Sequence, residues 1–293
     1  MTMLRLIIIL VLAALSGLWP EAAIAQVTQL PCQNPSAPRI AVFYVNGVTT
    51  TLDEARINIG KLEREFVARL ASLPGALQTF CYVFQLNYNP TNGTVKDFAE
   101  ASQQRLGLNP TAFWQGLDSV TVLSPLVAQL QGPMGGANQI DQATIQRHAA
   151  KYRQEILPPS CRRVLVVPHS QGNLYTNAAY DLTFAGPAPI PAANAMKIVG
   201  VATPDAVVKG NGRYRSSDTD LLINAIRATI LPGLPPTLVA NTNWGSSLLT
   251  LLDPALSGGH SFIGYLKYDP SRNDILTDMQ ASLLELAGVN PCP

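Results

Sequence analysis

Charge is scarce in this chain. Of 293 residues, Lys and Arg supply 20 and Asp and Glu 19, a charged fraction of 13% and a formal net charge of +1. That balance presents no basic face to nucleic acid or to an anionic membrane, so neither is expected as a partner. Cysteine is limited to Cys32, Cys81, Cys161 and Cys292, spaced 49, 80 and 131 residues apart, which excludes the close pairs that zinc sites use. Histidine is rarer still: chemistry that needs an imidazole must draw on His148, His169 or His260. Internal repeats and low-complexity tracts are absent, which excludes repeat arrays.

One long apolar run is present, residues 6–15, preceded by Arg5 and closed by Trp19-Pro20. The small residues Ala23-Ile24-Ala25 follow, so residues 1–25 read as a secretory signal peptide cleaved before Gln26. The run is short for a membrane span. The mature chain is therefore expected to be exported, periplasmic or secreted, with no integral span after cleavage, and long enough for one domain with a sizeable core.

Residues 39–45, R-I-A-V-F-Y-V, form a nearly continuous apolar and β-branched run, the pattern of a parallel strand buried on both faces. Further strands are expected over 80–86, 164–167 and 197–202, with a short polar one over 213–217. Helices are expected over 52–73, with Leu62, Phe66 and Leu70 on one face, and over 139–157, 221–231 and 274–286; another follows Ser170, with Leu174, Ala178 and Leu182 as its inner stripe. Strands alternating with helices predict an α/β fold, a mostly parallel sheet with helices on both faces and ligands at the carboxyl ends of the strands. Residues 26–38 read as a leader, 39–293 as the domain, and 89–137 as a small helical insertion of lid or cap type. The four cysteines should gather at the opposite end of the sheet. In an exported chain they are expected as Cys32–Cys81 and Cys161–Cys292, one of three possible pairings.

Two segments are nearly free of charge. Between Arg105 and Asp141 only Asp118 is charged, and between Arg227 and Lys267 only Asp253. Placed at the strand ends they would line an apolar mouth, with Phe113, Trp114, Leu117, Leu123, Leu126 and Leu130 on its surface; equally, they are helices buried against the body.

The stretch 164–172, V-L-V-V-P-H-S-Q-G, is an apolar strand that breaks into a turn carrying Ser170. It resembles the nucleophile elbow of serine hydrolases of the α/β-hydrolase superfamily, lipases and esterases, whose pattern is G-x-S-x-G. Pro168 stands where the first glycine belongs, fixing φ near about −65° and removing one ladder donor. The resemblance implies an α/β-hydrolase fold and a Ser-His-Asp triad in the order nucleophile, acid, histidine. Ser170 is then the nucleophile and His260, in a glycine-flanked loop, its base. His169 should point away into the sheet and serve packing, and His148 should take a surface or satisfied helical role. Asp220 is the first choice for the acid, with Asp218 and Asp205 as alternatives. The oxyanion donors would be the backbone amides of Gln171 and of Val48 or Gly47, in the Asn46-Gly47 turn where lipases carry a His-Gly pair.

The activity implied is hydrolysis of small-molecule or lipid-like carboxylic esters through an acyl-serine, with no metal and no organic cofactor required. A thioesterase or amidase would use the same residues. A non-catalytic protein that keeps the fold to hold a hydrophobic ligand or partner is the alternative from another class.

Overall fold

A computed structural model of the chain describes residues 28–29, 37–47, 50–70, 72, 75–90, 142–185, 188–220, 223–224, 227, 238–242 and 260–292. The signal segment 1–25, nearly all of the 89–137 insertion, Cys32 and most of the helix expected over 221–231 lie outside these residues.

Six strands form one sheet: β1 (Thr28–Gln29), β2 (Arg39–Val45), β3 (Cys81–Leu86), β4 (Arg163–Pro168), β5 (Met196–Val201) and β6 (Arg213–Arg215), in the order β1-β3-β2-β4-β5-β6. Every neighbouring pair is parallel except β1 with β3. The described helices are α1 (Leu52–Leu70), α2 (Gly75–Gln78), α3 (Gln142–Ile156), α4 (Gly172–Ala185), α5 (Phe262–Lys267) and α6 (Asp269–Ala287). The architecture is α/β, as expected.

The apolar run of β2 explains the two layers. Ile40, Val42 and Tyr44 face one side, where they join Ile59, Leu62 and Phe66 of α1, Phe262 of α5 and Met279 of α6. Ala41, Phe43 and Val45 face the other, against Ile145 and Tyr152 of α3 and Tyr175 and Ala179 of α4. A strand that alternates between two cores must be apolar at every position, since each large aliphatic side chain left in water forgoes roughly 1.5–3 kcal/mol. The start of α1 is set by a capping box: the Glu54 amide donates to Thr51 Oγ1 (3.3 Å), and the Thr51 amide to Glu54 Oε2 (2.8 Å).

The short edge strand β6 holds its place by charge. Arg215 makes two bonds to Asp278 of α6 (2.6 and 2.9 Å), and Arg213 reaches Glu285 one helical stretch further on (2.6 Å). Paired guanidinium–carboxylate contacts of this kind substitute for the apolar burial that R-Y-R lacks.

Several details depart from expectation. The inner stripe of α4 is only in part the one expected: Leu174 is buried and Ala178 packs half-buried against the core, but Leu182 is 41% exposed, and Tyr175, Ala179 and Thr183 are buried. The cause is Gly172, which abuts Val45 so closely that a Cβ would lie 2.7 Å from its carbonyl oxygen. That contact turns the face carrying 172, 175, 179 and 183 toward the sheet. Helix α6 begins at Asp269 rather than 274 because Pro270 sits in its first turn, where a missing N–H costs nothing. Of the two roles open to His148, the satisfied helical one holds: it is fully buried in α3, its Nε2 3.3 Å from the Tyr88 carbonyl. The 26–38 leader contains a strand, β1.

The Cys161–Cys292 disulfide is present. Cys81 is disulfide-bonded as well; the partner expected for it, Cys32, lies outside the described residues. No helix among the described residues is long and apolar enough to cross a membrane.

Candidate active site

Strand β4 runs through Pro168, one residue further than the apolar run alone indicates, and the chain then turns into α4 within three residues. The proline is harmless there. His169 N–H donates to the Val45 carbonyl (2.9 Å) on the β2 side and Ser170 N–H to the Val201 carbonyl (3.0 Å) on the β5 side, so the ladder resumes directly beyond the missing donor. Ser170 itself has φ +54°, the left-handed region that a side chain enters only at a cost of about 1–3 kcal/mol. This conformation stands its hydroxyl at the carboxyl end of the central strand, beside the first turn of α4, whose N-terminal dipole favours negative charge.

His260 meets that hydroxyl. Its Nε2 lies 2.7 Å from Ser170 Oγ, and its Nδ1 lies 2.9 and 3.1 Å from the two carboxylate oxygens of Asp220. A carboxylate accepts, so Nδ1 carries the ring proton and Nε2 is left to accept from the serine hydroxyl. Asp220 is fully buried and further held by the Ile223 amide (3.0 Å) and the Tyr265 hydroxyl (2.9 Å). The same phenol oxygen accepts from the Ser217 amide (2.8 Å), which ties α5 to the turn bearing the acid. Burial, reinforced by the nearby Asp220 charge, pushes the Tyr265 hydroxyl well above the usual tyrosine range, so it stays protonated and donates.

Asp205 accepts from Asn177 Nδ2 (2.7 Å) and from the Ala206 amide (2.7 Å), and Asp218 contributes its backbone amide to Thr242 (3.2 Å) and its carbonyl to Asn224.

Gly47 faces the serine. Asn46, beside it, is fully buried and locked in a two-way bond to the backbone of Asn89: its Nδ2 donates to the Asn89 carbonyl (2.7 Å), and the Asn89 amide donates to its Oδ1 (2.8 Å). Asn89 Nδ2 donates in turn to Gln171 Oε1 (3.3 Å). The Gly47 turn and the residue after Ser170, the two segments expected to donate to an oxyanion, are thus joined through one buried amide chain. Val48, Phe113, Trp114, Leu117, Leu123 and Leu126 lie outside the described residues.

His169 is buried, but its part is more than packing: its Nε2 is 2.8 Å from the carbonyl oxygen of His260. Sequence reasoning missed this contact, the Tyr265 bond and the Asn46–Asn89 bridge, since each joins residues 43 to 91 positions apart. The one available signal was that two of only three histidines serve one site. Among the described residues no group of three or more His, Cys, Asp and Glu could hold a metal ion.

No protein-family model matches the chain, and no curated protein matches it. The chemistry open to these residues is read from their arrangement: a hydroxyl, an imidazole and a buried carboxylate in hydrogen-bonded series.

Proposed function

We propose that the protein is an exported serine hydrolase of the α/β-hydrolase type that cleaves carboxylic esters through an acyl-serine. The observation that carries this reading is the series Ser170 Oγ to His260 Nε2 (2.7 Å) and His260 Nδ1 to Asp220 (2.9 Å). Ser170 Oγ attacks the ester carbonyl carbon while His260 takes its proton; the imidazolium, oriented by Asp220, returns the proton to the leaving alcohol. Water then attacks the acyl-serine with His260 again as base, releasing the acid and restoring Ser170. The backbone amides of Gln171 and of the Gly47 turn hold the negative oxygen, usually the largest single contribution to such catalysis. The disulfide fits an oxidising compartment and hence export. The scarcity of charge around the expected mouth favours lipid-like or short-acyl substrates.

The test is labelling of the purified protein with a fluorophosphonate probe, followed by a panel of esters, thioesters and amides graded by acyl length. The expected result is modification at Ser170, lost in Ser170→Ala and His260→Ala, with ester turnover reduced on the order of 10⁴-fold or more in either variant. A folded wild type that takes no label and turns over nothing in the panel would remove this reading in favour of a ligand-binding protein.

A further inference from the structure

The residue before the nucleophile has its own contact with the base. The ring of His169 lies 5.0 Å from that of His260, centroid to centroid, with Phe262 at 5.5 Å and Tyr265 at 6.3 Å packed edge-on against it. Its Nε2 is 2.8 Å from the His260 carbonyl oxygen. A carbonyl oxygen only accepts, so Nε2 bears a hydrogen. Nδ1 is buried and has no hydrogen-bond partner among the described residues, so a second proton there would have no acceptor.

We infer that His169 is a positioning residue for the general base: its Nε2–H grips the His260 carbonyl and holds the His260 backbone so that its ring stays between Ser170 and Asp220. This rests on the serine-hydrolase reading. His260 stands two residues before α5, next to its N-cap Ser261. Its side chain is fixed at both nitrogens, but a ring so held still needs its backbone fixed, because two bonds allow the residue to pivot about the line joining them. The His169 bond supplies that third point. The ring must do this without carrying charge, since His260 becomes cationic 5.0 Å away when it takes the serine proton. Burial first, and the proximity of His260 second, hold the protonation of His169 well below the usual histidine range. The ionisable groups facing it are His260 and Tyr265, with Asp220 beyond His260; none brings a negative charge into contact with its own nitrogens.

Two substitutions separate donor from bulk. Phe at 169 keeps a ring of similar size without a donor, and Gln places an amide nitrogen at the same number of bonds from Cα as Nε2. His169→Phe is expected to lower kcat on a soluble ester by about tenfold to a hundredfold with KM little changed, and His169→Gln to recover most of that loss. A folded His169→Phe at wild-type kcat, or a His169→Gln as impaired as His169→Phe, overturns the inference. The wild type tests it without activity: with ¹⁵N-labelled histidine, the resonances that vanish in His169→Gln should report a neutral, Nε2-protonated ring that does not titrate between pH 5 and 8. A titrating ring, or the Nδ1-protonated form, overturns the inference even where His169→Phe fails to fold. A wild type inert to esters and to fluorophosphonate sinks the hydrolase reading, while the tautomer measurement still decides whether His169 grips His260.

Discussion

Gly47 lies so close to Ser170 that a Cβ built on it would fall 2.5 Å from the serine Cβ and 3.1 Å from its Oγ. Non-bonded carbon atoms do not approach to 2.5 Å, so even one methyl group must push either the Gly47 turn or the elbow aside. Gly47→Ala should therefore cut kcat by about a hundredfold, the scale of a misplacement near 1 Å. Thermal stability should fall by no more than a few degrees, because the clash is local. Ester kinetics beside a melting curve checks this; wild-type kcat in a folded Gly47→Ala would show that the turn does not approach the reacting atoms in solution.

The Tyr265 hydroxyl donates to Asp220 and accepts from the Ser217 amide, so it fixes the carboxylate that meets His260 Nδ1. Without it one of the bonds that aim the carboxylate at the imidazole is gone. Tyr265→Phe should lower kcat on a soluble ester by about tenfold with KM little changed, on the scale of the ~1.5–3 kcal/mol carried by a hydrogen bond to a charged group. A tyrosine that merely fills space would leave kcat in place while lowering the melting temperature.

The reach of sequence reasoning here follows from interaction range. β2 and β4 were legible because burial on both faces leaves no polar position, and Ser170 because a turn after such a strand is a local pattern. Asp220 and His260 could be named by chain order, although three acids stayed open until the buried contacts of Asp220 were seen. What escaped was set by other parts of the chain. The rotation of α4 depends on how near Gly172 comes to Val45, and the strand in the 26–38 leader exists only because β3 offers an edge. Pro168 read as the end of a strand, but the bonds that matter there belong to His169 and Ser170.

The neutrality of His169 has a consequence for stability. Its protonation is depressed in the folded chain, while the unfolded chain should take up a proton near the ordinary value of 6.5. Below that pH the unfolded state binds a proton that the folded state refuses, so the contribution of His169 to stability is present above about pH 6.5 and is lost as pH falls, by at most ~1.4 kcal/mol per unit. Urea unfolding at pH 7.5 and 5.5 should show a smaller loss in His169→Gln than in wild type, by about 1 kcal/mol. His148 and His260 are present in both proteins, so their contributions cancel in the comparison. Equal losses would mean that His169 is charged, or accessible, in the folded state.

Cys161 and Cys292 join the chain across 131 residues just before β4, at the end of the strand away from Ser170. Six residues of strand separate the two ends, roughly 20 Å. A cross-link closing so long a loop removes much of the freedom of the unfolded chain, worth ~2–5 kcal/mol, and does so without touching Ser170, His260 or Asp220. Replacing both cysteines by serine should lower the melting temperature by about 5–15 °C, yet leave kcat and KM on a soluble ester at 25 °C within about twofold, since sites this far apart couple weakly. The comparison distinguishes two kinds of disulfide. One that only restricts the unfolded chain changes the melt and spares the rate. One that tensions β4 would change both, because Ser170 stands on the end of that strand and its strained backbone depends on where the strand stops.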